Sequence, residues 1–137
     1  MLTLHQDDEG AAVVVDGDRI AAVGPYEELI GRFPAARVRR WPGVLGPARV
    51  HEGPLPAAPT PREQVHAVLK RGAVAVLAEH ANTPELRAAA ARNDVLVLPG
   101  SRPLTLAPAA RADLAVFTAE GECVATVCAG RLVHRRR

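Results

Sequence analysis

The stretch from Pro61 to Gly100 follows a rhythm found nowhere else in the chain. PREQVHAVLKRG sets Val65, Val68 and Leu69 on one helical face, and AVAVLAEH follows as an unbroken apolar run of the buried-strand type. Thr83 and Pro84 then open a second helix, TPELRAAAARND. The Thr hydroxyl is placed to cap it and the proline sits in its first turn. VLVLPG makes a second buried strand. Helix, strand, helix, strand calls for parallel strands joined by right-handed crossovers. Gly72, following Arg71, fits a helix stop better than a phosphate cradle.

The flanks are β-rich. AAVVVDGDRIAAVG is two strand-like runs about Asp16-Gly17, a pair suited to the positive φ of a tight hairpin turn. Pro25 opens YEELIGRF, where Tyr26, Leu29, Ile30 and Phe33 recur at helical spacing until Pro34. ARVRRWP and VLGPARV, divided by Pro42-Gly43, are expected as strands. At the far end ADLAVFTAEGECVATVCAGRLVH predicts a three-stranded meander turning at Glu120-Gly121 and Ala129-Gly130. Pro54, Pro56, Pro59 and Pro61 mark an extended linker between the first flank and the middle.

With 137 residues, 48% of them hydrophobic, the chain suits one domain with a real core. Its net charge of +2 depends on the closing run Arg135, Arg136 and Arg137, best read as a solubilising end. Tyr26, Phe33, Trp41 and Phe117 are the only aromatics, too few for a base-stacking platform, so no nucleic-acid partner is expected. Neither a leader nor a membrane-spanning run is apparent, which predicts a soluble, cytoplasmic protein without a membrane partner. Cys123 and Cys128, about 16 Å apart if extended, are expected as free thiols of a reducing compartment. Glycine-rich phosphate loops, GxSxG, CxxC and HExxH are all absent from the sequence.

VVVDGDRIAAVGPYEELIGRFPAARVRRWPGVLGPARV resembles the N-terminal composite β-domain of metal-dependent amidohydrolases of the imidazolonepropionase and aminodeoxyfutalosine deaminase types. PLTLAPAARADLAVFTAEGECVATVCAGRLVHRRR resembles the C-terminal part of that domain, with Ala112-Asp113-Leu114 beginning the last meander. The resemblance implies an α+β fold in which residues 1–56 and 101–137 build one composite β-domain. Residues 57–100 then form a small α/β insert where the family carries a (β/α)8 barrel, and two helix–strand units cannot close one. The resemblance also implies a His-x-His metal motif after the first barrel strand. Aligned from Pro42-Gly43, those positions fall on Gly53 and Leu55, whose side chains cannot coordinate a metal. No catalytic residue and no cofactor is therefore expected, and a non-catalytic binding or interaction module, paired with itself or a related protein, is the leading reading.

One local alternative stays open. His51, Glu52, Glu79 and His80 should all follow the C-terminal ends of neighbouring parallel strands, where α/β sites form. They could hold a divalent metal such as zinc for a reduced hydrolase or deaminase acting on non-peptide C–N bonds. The plainer reading is that polar residues gather wherever strands emerge into loops. His66 is expected as an ordinary helical histidine, and Asp113 as a partner of backbone or arginine rather than a base. Asp7, Asp8 and Glu9 are expected to be a frayed, solvated terminus. Arg37, Arg39 and Arg40 should line a wet face or blunt a sheet edge.

Overall fold

A computed structural model describes residues 1–136; Arg137 lies outside the described residues. Strands β1 (Leu2–Gln6), β2 (Ala11–Asp16), β3 (Arg19–Pro25) and β4 (Arg37–Arg40) form the first sheet in the order β3-β2-β1-β4. β1 and β2 run antiparallel, and β4 lies parallel to β1. Helix α1 (Tyr26–Arg32) bridges β3 to β4 and buries Leu29 against Leu4, Ala12, Val14 and Ala22 on one face of this sheet.

The second sheet joins the two ends of the chain. Its order is β11-β10-β9-β5, where β5 (Val44–Pro47) comes from the first flank and β9 (Leu114–Phe117), β10 (Cys123–Cys128) and β11 (Arg131–Arg135) form the expected meander. The two sheets enclose a core of Val13, Val15, Ile20, Trp41, Leu114, Val116, Val124 and Val127. This is the composite β-domain that the sequence resemblance implies, in an α+β chain.

VLGPARV is two strands rather than one. Ala48 interrupts it and donates its N–H to Asp113 O at 3.1 Å, after which β6 (Arg49–His51) leaves for a third sheet. That sheet, β6-β7-β8, is parallel throughout, with β7 (Ala73–Leu77) central and β8 (Leu96–Leu98) at the other edge. It therefore draws in residues that precede position 57. Helices α2 (Pro61–Lys70) and α3 (Pro84–Arg92) supply the crossovers. Each has proline in its first turn and a threonine hydroxyl at its cap: Thr60 accepts from Glu63 N and Thr83 from Leu86 N, both at 3.2 Å.

Val65, Val68 and Leu69 of α2 pack with Val74 and Val76 of β7 and Ala89 and Ala90 of α3. The same core takes in Ala115 and Cys128 from the second sheet, and the Thr126 hydroxyl donates to Leu69 O at 2.7 Å. The insert is thus fastened to the composite domain by packing and by a buried hydrogen bond. Gly72 stops α2 at φ +84°, and a Cβ there would strike the Phe117 ring.

The expectation of a frayed acidic start is overturned. β1 is an interior strand, and Asp7 is 2% exposed. One Asp7 oxygen accepts from Glu9 N (2.8 Å) and Ala11 N (3.0 Å), and the other accepts from Leu45 N at 2.8 Å. Turn residues next to a strand end use a carboxylate to satisfy backbone donors that the sheet ladder leaves over. Among the described residues no helix is long and apolar enough to cross a membrane.

Candidate functional site

The C-terminal ends of β6 and β7 lie side by side, as the sequence alternative requires, with His51 in register with Val76. The four candidate side chains diverge from there. The His51 ring meets Pro54 O through Nε2 at 2.9 Å, which ties it to its own loop. Glu52 lines a cleft of about 510 Å³ together with Arg49, Ser101 and Arg102. Glu79 and His80 sit in a short 3-10 turn after β7 and face each other, with His80 Nε2 3.8 Å from Glu79 Oε1. Among the described residues no three His, Cys, Asp or Glu side chains are grouped as metal ligands would be.

The positions that the family resemblance assigns to its two histidines have other work. Gly53 is in a half-buried bend, and Leu55 is 9% exposed within the core shared with Val65 and Val68. An imidazole at 55 would displace core packing before it reached a metal.

Asp113 is structural, as expected. Its carboxylate accepts from Arg111 Nε at 2.8 Å and from Ala129 N at 3.0 Å, which fixes the β10–β11 turn against the start of β9. Burial works against the Arg111 charge, yet the hydrogen bond and the charge of Asp113 outweigh it and hold the guanidinium above its ordinary pKa. His66 lies half-buried on α2 beside an open hollow lined by Thr60, Glu63 and Lys70. Cys123 and Cys128 are free. Burial pushes the Cys128 thiol up to about 11, and Cys123 also rises by burial, so neither has the thiolate character of a nucleophile.

The sequence reading overlooked a buried pair, His5 and Trp41. Trp41 Nε1–H donates to His5 Nδ1 at 3.1 Å, and the rings stack with centroids 6.3 Å apart. Burial and then the nearby Arg39 charge lower the His5 pKa to about 4, so its ring is neutral near pH 7, with the proton on Nε2. The alternation Leu2, Leu4 against Thr3, His5 is the one signal that could have placed His5 in a strand.

Comparison with known proteins meets the fold at the first hairpin. The family described as imidazolonepropionase-like composite domain, bacteria, matches residues 11–36, which span β2, β3 and α1. No curated protein matches the chain. Among solved structures, guanine deaminase from Bradyrhizobium japonicum is similar at 15% identity and a TM-score of 0.42, over 61% of this chain and 25% of that one. Helicobacter pylori aminofutalosine deaminase is similar at 17% identity and a TM-score of 0.37, over 56% of this chain and 27% of that one. The chain therefore spans about a quarter of either enzyme. Over residues 11–36, the hairpin and the helix that follows it, this chain is similar to the imidazolonepropionase-like composite domain of bacteria.

Proposed function

We propose that this chain is a non-catalytic, cytoplasmic interaction module that assembles with a second copy of itself. The burial of Leu55 carries the reading: the position of a family metal ligand is spent on the insert core, beside Gly53, which offers no donor. Self-assembly is supported by the third sheet. Among the described residues no strand pairs with the outer side of β6 or β8, and an open strand edge is a template for pairing with another chain. The two free cysteines suit a reducing compartment.

Sedimentation equilibrium tests the assembly. A dimer or larger species is expected at roughly 100 μM, where a micromolar complex is largely formed; a strict monomer there sinks self-assembly. Elemental analysis of protein purified without chelator tests the other half. Near-stoichiometric zinc, manganese or iron, lost on combined His51→Ala and His80→Ala substitution, would overturn the non-catalytic reading in favour of a reduced metal-dependent hydrolase.

A further inference from the structure

The outer edge of the first sheet carries charge from both ends of the chain. β4 pairs with β1 on its inner side, and among the described residues no strand meets its outer side. Its register sets Arg37 opposite Thr3 and Arg39 opposite His5, on one face, while Val38 and Arg40 alternate to the other. On the Arg39 side His5 stacks with Trp41, and over the Trp41 ring, 5.6 Å from its centroid, lies the guanidinium of Arg135 from the end of β11. Arg39 of β4 and Arg135 of β11 thus flank one buried aromatic pair, with Arg37 two residues along the same face of β4.

These three charges are not balanced within the fold. Arg19, Arg32, Arg111, Arg131 and Arg136 each have a carboxylate within 4.0 Å. Among the described residues no such partner is found for Arg37, Arg39 or Arg135. Arg40 differs, sharing a cleft on the opposite face with Asp8 and Glu27. Protection of an edge against unwanted pairing needs charge on the edge strand alone. It does not account for Arg135, brought from another sheet to the same place.

We propose that the β4 edge receives an extended acidic peptide segment of a partner protein. The segment adds as a further strand, and its carboxylates on alternate residues face Arg37, Arg39 and Arg135. The free N–H and C=O groups of β4 supply the pairing, and the alternation of side chains supplies the specificity. Val38, 41% exposed on the other face, leaves room for an apolar side chain between successive acids. A nucleic acid would satisfy the charges but not the backbone row, and Trp41 is buried and unable to stack on a base. The inference is independent of self-association, which concerns the third sheet.

Fluorescence anisotropy of a fluorescein-labelled peptide alternating glutamate and threonine tests it on the intact chain. Binding is expected at low salt, weakening as added salt screens the charges. Combined Arg37→Ser, Arg39→Ser and Arg135→Ser substitution should weaken it about tenfold, from the loss of three ion pairs. A peptide with proline at each threonine position should bind at least about tenfold more weakly, since proline cannot donate to the edge. Equal binding by the triple variant, equal binding of the proline peptide, or tighter binding of an oligouridylate of the same charge would each overturn the proposal. Circular dichroism on the triple variant, in which Arg37 and Arg135 are exposed and Arg39 half-buried, confirms that a loss is not unfolding.

Discussion

Trp41 Nε1–H donates to His5 Nδ1 across 36 residues of sequence, and the bond exists only while His5 is neutral. Protonation would put a hydrogen on the nitrogen that accepts it, next to the Arg39 charge and in a nearly dry site.

That sets a pH dependence. The unfolded chain takes up a proton near 6.5 and the folded chain only near 4, so the unfolded state binds more protons between these values. Stability from His5 is fully present above about pH 6.5 and is lost as pH falls toward 4. The full loss is on the order of 3 kcal/mol. Urea unfolding at a series of pH values should show it, and His5→Gln, which keeps an acceptor but cannot ionise, should flatten the slope relative to wild type. An unchanged slope in that variant would refute the assignment.

Asp7 should matter far more than its neighbour. Asp7→Ala removes the acceptor for three backbone N–H groups, of which that of Leu45 is buried at the junction of two sheets. A cost of about 2–4 kcal/mol is expected, because a buried unpaired donor loses its full solvation. Asp8 accepts only from Gly43 N, at 3.1 Å and exposed, so Asp8→Ala should cost under about 1 kcal/mol. Paired chemical denaturation curves separate the two.

The two flanks touch at their turns. Gly130, at φ +82°, donates to Ala112 O, and a Cβ there would strike Gly17 O and come within 2.9 Å of Asp18 Cα. Gly121 has φ +86° with nothing within 4 Å of its Cβ position. Gly121→Ala should therefore cost about 1 kcal/mol, the backbone strain alone. Gly130→Ala should cost about 3 kcal/mol or more, since rigid backbone must part. If thermal melts show equal losses, the turns do not dock as described.

Local elements were legible because their signals are local. Asp16-Gly17, Thr83 with Pro84, and Ala129-Gly130 each fix a turn or a cap within four residues, and each stands where expected. Arg37 to Arg40 do line a sheet edge, and the α/β alternation did yield parallel strands. What failed depends on partners distant in sequence. Asp7 read as solvated because its Leu45 partner lies 38 positions away. VLGPARV read as one strand although Gly46-Pro47 marks a break just before Ala48, whose N–H goes to Asp113 O, 65 positions away. The four polar residues after β6 and β7 were placed at the correct sheet ends, but strand pairing sets backbone position and not where side chains in following loops turn.

Position 55 gives the sharpest test of what replaced the family chemistry. Combined Gly53→His and Leu55→His substitution restores two imidazoles at the spacing that the resemblance implies for the first barrel strand. In this fold the second ring would enter a core lined by Val65, Val68 and Leu69, where a polar ring loses solvation and packs poorly. A destabilisation of about 2–4 kcal/mol is expected, with no stoichiometric zinc by elemental analysis, because no third ligand is gathered nearby among the described residues. Gly53 has nothing within 4 Å of where a Cβ would stand and should tolerate histidine alone at under about 1 kcal/mol. Recovery of one bound zinc in the double variant without loss of stability would mean that the strand end retains the geometry of a metal site, and the packing role of Leu55 would have to be given up.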